Sequence, residues 1–344
     1  MNIVVADILY PEGHKALMTG WLKILSKDND VTLIGKKGYF DSVESDGQLF
    51  NKIKVKQFFS KRIEFIKVFL YVFNLFIVAI ALRKIKYDKI LFLSTHNAAL
   101  YFVLPFFRRD SIVVVHHYDL DRTAALPFEK NLFCKYSNKI KHIVLAEFIA
   151  DGLISGYNVR EENVYVVYQP IIKKFDDIHK IRDNKLILLG RKYSEDFLNA
   201  LIDLDKQSKK INRNKLLIRA KGINYSSPNI EVFDKYLNYE EYCSLLESSS
   251  ACVVIYPDTY KLRYSGVMDD AICHGIYILS YDIPVGRYFK AICPNCVSLF
   301  SSAKELWKIA DSVIPKTFEE ELKNFIGEHS DSIIIKQFQR ALAI

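Results

Sequence analysis

The stretch "ACVVIYPDTYKLRYSGVMDDAICHGIYILSY", residues 251–281, decides the fold. Two short apolar runs, "ACVVIYP" and "IYILSY", enclose a loop that gathers Arg263, a Ser265-Gly266 pair and the adjacent carboxylates Asp269 and Asp270. Ser265 is a good N-cap, Gly266 allows a close backbone approach, and Gly275 is placed to end a helix, so the spacing predicts a short helix over 265–274. Strand, loop, helix and strand in this order make one unit of a parallel sheet. The open amides of such a helix start form an anion site. A phosphate there gains the amides and the helix dipole, and Arg263 adds a charge-assisted fork. Asp270, one turn in, would repel a phosphate and is better used to accept from hydroxyls, as on a ribose or a sugar. The simpler reading of Asp270 is an acid favoured in the first helical turn. Arg263 and the Ser-Gly pair favour the ligand reading.

The same rhythm runs outward in both directions. "NIVVADI", "DVTLIG", "KILFLST", "SIVVVHH", "HIVLAEF" and "VYVVYQP" are continuous apolar strands separated by helical patterns such as "HKALMTGWLKILSK". It restarts after the charged linker "IIKKFDDIHKIRDNK" with "LILLGRK", "KLLIRAKG", "IEVFD" and "CVSLF". Strands this apolar are covered on both faces, so the expected class is α/β with doubly wound parallel sheets. The expected division is 1–170 for a first Rossmann-like domain, 171–316 for a second, and 317–344, which reads as one or two helices, for a terminal helix that returns to the first. The expected two domains face each other across a cleft. In such sheets ligands bind beyond the carboxyl ends of the strands. Gly190, Arg191 and Lys192 follow one strand there, and Arg219 and Lys221 follow the next; as a set they suit a diphosphate, although any one alone reads as a solvated base. Neither a GxGxxG after the first strand nor a Walker A sequence is present, which disfavours a nicotinamide dehydrogenase and a P-loop enzyme.

Residues 160–285 resemble the nucleotide-sugar half of GT-B glycosyltransferases, especially the large retaining bacterial family that builds surface polysaccharides. "VYVVYQP" is similar to that family's strand before the linker, "LLGRK" to its Gly-Arg phosphate loop, and "SGVMDDAICHGIYILS" to its Gly…Glu-Ala…Gly-Pro-Val segment. The resemblance implies that Asp270 stands for a glutamate on the donor ribose. It also implies that Ser265, Gly266 and Val267, with Arg263 and Tyr264 before them, hold the donor diphosphate together with Gly190, Arg191, Lys192 and Arg219. The family's paired glutamates are not both present: the upstream position falls near Leu262 or Arg263. The N-terminal half resembles the family more loosely. "YPEGHKALMTGWLKIL" matches a loop lining the cleft, with Gly13 and His14, and "VVVHHYDLDR" matches a strand end carrying a catalytic histidine, taken as His117, with His116 and Asp119 beside it. A structural role for these histidines competes on even terms. The "DLD" at 119–121 also reads as a metal-binding pair of the other main transferase fold, which would leave the second Rossmann unit unexplained. The implied activity is metal-independent glycosyl transfer, with retention implied by the family pattern alone, the nucleotide diphosphate sugar as substrate and no cofactor. Alternatives are a nucleotide-sugar epimerase on the same fold and an inactive subunit that binds a partner transferase.

The charge has a location as well as a size. The chain of 344 residues is 50% hydrophobic and 26% charged, with net charge +8. Between Asn51 and Ile90 ten basic residues face only Glu64 and Asp88, a surplus of eight that equals the surplus of the whole chain. This segment holds the longest apolar run, "VFLYVFNLFIVAIAL" at 68–82, which is short of the about 20 residues of a bilayer span. It reads either as a buried helix or as one face on an anionic membrane surface. Nucleic acid is disfavoured because the aromatics are not interleaved with the bases. Six cysteines lie mostly in apolar runs and the N-terminus has no secretory pattern, so the expected location is cytoplasmic, with peripheral contact to the inner face of the plasma membrane. "CPNC" at 293–296 has zinc half-site spacing without a second half, and reads as a turn.

Overall fold

The computed structural model describes residues 1–8, 15–36, 50–55, 64–171, 183–315 and 318–343. Gly13 and His14, the basic residues Lys56, Lys61 and Arg62, and most of the charged linker lie outside them. The chain divides into two compact units, one of Met1–Ile172 with Leu262–Tyr264 and His329–Ile344, the other of Lys173–Lys261 with Ser265–Glu328.

The first unit runs β1 (Asn2–Asp7), α1 (Lys15–Leu25), β2 (Asp30–Lys36), β3 (Asn51–Val55), α2 (Glu64–Leu82), β4 (Lys89–Ser94), α3 (Asn97–Val103), β5 (Ile112–Val115), α4 (Asp119–Ala125), α5 (Pro127–Tyr136), β6 (Lys141–Val144), α6 (Glu147–Tyr157) and β7 (Val164–Val166). Its sheet has the order β3-β2-β1-β4-β5-β6-β7 and every pairing is parallel. The central strands β4 and β5 are buried along their whole length, as their unbroken apolar sequences require. By contrast β3, "NKIKV", sits at the sheet edge with Asn51 and Lys54 exposed, where lysines discourage pairing with another chain.

The second unit runs β8 (Asp183–Leu188), α7 (Glu195–Gln207), β9 (Lys215–Arg219), β10 (Tyr225–Ser226), β11 (Ile230–Phe233), α8 (Tyr239–Ser248), β12 (Ser249–Val254), α9 (Gly266–Cys273), β13 (Tyr277–Tyr281), α10 (Pro284–Ile292), β14 (Val297–Phe300), α11 (Ala303–Ala310) and α12 (Glu319–Glu328). Its order is β10-β11-β9-β8-β12-β13-β14, parallel except for the short β10. The strand order reverses direction between β1 and β4 in one sheet and between β8 and β12 in the other. These are the switch points at which open α/β sheets bind ligands. The "CPNC" segment is a turn into β14, with Asn295 N–H and Cys296 Sγ on the Glu321 carboxylate at 2.9 and 3.1 Å.

The C-terminal segment is two helices. α12 stays with the second unit, and α13 (Asp331–Leu342) packs on α1, β6 and β7 of the first. Trp21 of α1 donates its indole N–H to Tyr168 O at 2.9 Å and meets the Phe338 ring edge-on at 5.2 Å. Both side chains are buried, and Tyr168 N–H is bonded to Gln337 Oε1 at 3.0 Å. Phe338→Ala leaves a cavity under Trp21 and is expected to cost about 3–5 kcal/mol of first-unit stability. Denaturant unfolding checks it; a loss below about 1 kcal/mol would show that α13 is not part of that core.

Candidate functional site

In the second unit the turns after β8 and β12 meet at the switch point. Ser194 N–H donates to Ile255 O at 2.7 Å. Tyr256, buried and stacked on Tyr260 at 4.1 Å, puts its hydroxyl 2.8 Å from Ser265 Oγ. On its other side Tyr256 reaches Gly190, where an added Cβ would lie 3.4 Å from the ring. Tyr256 therefore ties the Gly190 turn to the start of α9. The same Ser265 Oγ accepts the Met268 N–H at 3.2 Å as N-cap, and Gly275 closes the far end at φ 64. The amides of Gly266 and Val267 have no helical carbonyl a turn behind them, as at any helix start.

Asp270 is turned toward α8, accepting the Tyr242 hydroxyl at 3.0 Å on one oxygen. Burial raises its pKa, against the opposing effects of that bond and of His274. Arg191 and Lys192 are exposed on the turn after β8. The guanidinium groups of Arg191 and Arg219 each lie 5.9 Å from the ring centre of Tyr236, which is 70% exposed. Tyr236 and Tyr256 were not singled out by sequence reading; their positions just past strand ends were the available signal.

Arg263 has a different partner from the one its sequence neighbours imply. Its Nε lies 2.6 Å from Asp121 Oδ2, its guanidinium lies 5.9 Å from the Tyr118 ring, and Leu262 N–H donates to Asp121 Oδ1 at 2.7 Å. The Asp121 side chain is 5% exposed, and a carboxylate so deeply placed needs a cation. The segment Leu262–Tyr264 accordingly belongs to the first unit.

The first unit carries a buried polar cluster after β4 and β5. His116 Nδ1 lies 2.6 Å from Asp119 Oδ2, and His116 Nε2 lies 2.9 Å from His142 Nδ1. His142 Nε2 lies 2.8 Å from Ser137 O. The carbonyl can only accept, so His142 carries its proton on Nε2, and its Nδ1 accepts from His116 Nε2–H. The other nitrogen of His116, Nδ1, faces the Asp119 carboxylate, so both ring nitrogens are bonded; the tautomers here are assigned from the hydrogen bonds. Burial alone would raise the Asp119 pKa, but the charge and bond of His116 hold it below the ordinary carboxylate range. Asp119 also accepts from Asn97 Nδ2 at 3.0 Å. The two acids of "DLD" thus go to separate partners, His116 for Asp119 and Arg263 for Asp121.

His117, next in the chain, is half-buried. Sequence reading missed Asp7, which accepts the Ser94 hydroxyl, and the group His96, Arg122 and Glu129, with Arg122 3.0 Å and His96 3.5 Å from Glu129 Oε1. His96, Arg122 and Glu129, with Thr95, Asn97, Tyr118, Asp119 and Thr123, line a small pocket of about 10 Å³, room for a single water. The signal was again position: "THN" at 95–97 directly follows β4 at the switch point.

No protein-family profile and no curated protein matches the chain. Among solved structures, 311 chains match. One is HepE from Anabaena, solved with UDP and glucose: TM-score 0.65, 13% identity, covering 100% of this chain and 99% of that one. The chain has the GT-B fold. WaaG, a glycosyltransferase involved in lipopolysaccharide biosynthesis, aligns over 99% of this chain and 94% of its own at TM-score 0.57 and 11% identity. A UDP-N-acetylglucosamine 2-epimerase from Rickettsia bellii aligns over 99% and 95% at 0.59 and 12%.

Burial pushes the His142 imidazole down to about 3, and the adjacent His116 adds to this. An unfolded histidine titrates near 6.5, so between these values the unfolded chain binds the extra proton. The stability from a neutral His142 is complete above about pH 6.5 and falls as pH drops toward 3. Denaturant unfolding between pH 7.5 and 5 should show this loss, with a slope of up to about 1.4 kcal/mol per pH unit, flattened in His142→Gln. Equal slopes in the two proteins would contradict the assignment.

Proposed function

We propose that the protein is a glycosyltransferase that moves a sugar from a nucleotide diphosphate donor to a glycan or lipid-linked acceptor. The acceptor belongs to bacterial surface polysaccharide synthesis, whether O-antigen, capsule or exopolysaccharide, and is met at the inner face of the plasma membrane. The donor is a substrate, and the reading includes neither a metal nor a resident cofactor. The observation that carries it is the meeting of the Gly190 turn and the α9 start through Tyr256, at the switch point of a nucleotide-binding type of sheet. HepE, solved with UDP and glucose, supports the donor class, and WaaG supports the pathway.

As the donor bond breaks, negative charge gathers on the diphosphate and positive charge on the anomeric carbon. Arg191, Lys192 and the Gly266 and Val267 amides are suited to stabilise the first in a water-poor setting. Asp270 keeps one oxygen clear of Tyr242 to accept from the ribose hydroxyls. Tyr236, an exposed ring near Arg191 and Arg219, offers a stacking surface for the base. In this reading the first unit takes the acceptor, with His117 as the imidazole near the reacting sugar. Retention of configuration belongs to the proposal through the family resemblance alone. The committed charge of Arg263 leaves the diphosphate to the other bases.

Epimerase activity is the second reading, favoured by the Rickettsia bellii match. A panel of nucleotide sugars with a membrane extract separates the two: the proposal expects labelled sugar in the extract, the alternative expects interconverted sugar without transfer. Binding without turnover would leave a non-catalytic subunit.

Two variants test the donor site. Arg191→Ala should weaken UDP binding at least roughly tenfold, since a charge-assisted bond contributes about 1.5–3 kcal/mol. Gly190→Ala should unfold within about 0.5 kcal/mol of the parent, because the added methyl meets only ordinary contacts of 3.4 Å and longer, yet should also lose UDP affinity. Unchanged affinity of both variants in calorimetry would remove the diphosphate from this turn.

A further inference from the structure

Helix α2 is apolar on two opposite sides. One side buries Tyr71, Leu75, Val78, Ala79 and Leu82. At 100° per residue Phe69, Phe73 and Ile80 fall within about 40° of one another on the other side. They are 65%, 43% and 45% exposed. The half-buried Phe76 lies in the same arc and meets Phe106 edge-on at 5.1 Å, joining this ridge to the end of α3, where Phe102 and Phe106 are each 49% exposed. Apart from Phe128 on α5, which packs on α3, these are all the exposed phenylalanines among the described residues. A helix apolar all round is expected inside a core or against another apolar phase, and a ridge this concentrated marks an interaction face.

The charges beside the ridge say what meets it. Arg83, Lys84 and Lys86 are exposed where α2 ends, and Arg108 and Arg109 are exposed just after Phe106. Asp88 and Asp110 are the acids among them, and Arg108 donates to the carbonyl of Asp88 at 3.4 Å. The surplus stays basic, and Lys54 on the neighbouring β3 adds to it. A second copy on a two-fold axis would bring like charges together. Anionic lipid headgroups neutralise them while the phenylalanines enter the headgroup and acyl boundary.

We propose that the Phe69–Phe73–Ile80 face of α2, with Phe102 and Phe106, docks the first unit onto an anionic lipid surface. The inference rests on the membrane-surface part of the reading above and not on glycosyl transfer. Among the described residues no helix is long and apolar enough to cross a membrane.

Liposome flotation of the full chain tests it, using phosphatidylcholine vesicles with and without phosphatidylglycerol. The parent protein is expected to float only with phosphatidylglycerol and to be released in high salt. F69S/F73S should bind roughly tenfold more weakly or worse, and R108Q/R109Q should lose much of the lipid preference. Thermal unfolding and UDP binding of each variant control for folding. No flotation of the parent overturns the proposal, as does flotation unchanged in both variants, equal flotation on neutral vesicles in high salt, or a dimer that F69S/F73S dissolves. Flotation reads no turnover, so its failure leaves the transfer reaction untouched, and failed transfer leaves the docking result standing.

Discussion

The parallel pairing of β8 with β12 is the constraint on which the candidate donor site depends. Parallel neighbours end at the same edge of a sheet, so two turns far apart in sequence, Gly190–Lys192 and Tyr256–Ser265, open side by side. Each crossover helix then starts at that edge with its amides open. Tyr256 converts adjacency into contact, because it leaves a strand end with its ring against Gly190 and its hydroxyl on the cap of α9. Loss of that pairing would leave a glycine turn and a capped helix with no common edge.

The first sheet places a different chemistry at its own switch point. Its cluster is built on internal pairs, His116 with Asp119, Arg122 with Glu129 and Arg263 with Asp121. Such pairs are costly to bury and costlier to break one partner at a time. They hold the turns after β4 and β5, and this makes His116 a positioning residue bonded on both ring nitrogens.

Much of this was legible in residues 251–281, because Ser265, Gly275 and the apolar strands on either side act through local geometry. The unbroken apolar runs likewise read as the parallel strands they form. β3 was not legible, since an edge strand alternates lysine with isoleucine and lacks the apolar run of its neighbours. The partner of Arg263 was not legible either: Asp121 is far away in the chain, and only the fold brings a buried carboxylate to it. Sequence showed that Asp270 could accept a hydroxyl but not that Tyr242 supplies one. The terminal segment read as helical, whereas its split between the two units depends on Trp21 and Phe338 meeting across the chain.

The most direct test is a crystal structure of the protein with UDP bound. Diphosphate oxygens are expected within about 3 Å of the Gly266 and Val267 amides, with Arg191 closing on them and a ribose hydroxyl on Asp270. A diphosphate seated away from the α9 start, or one held by Arg263 with Asp121 displaced, would contradict it.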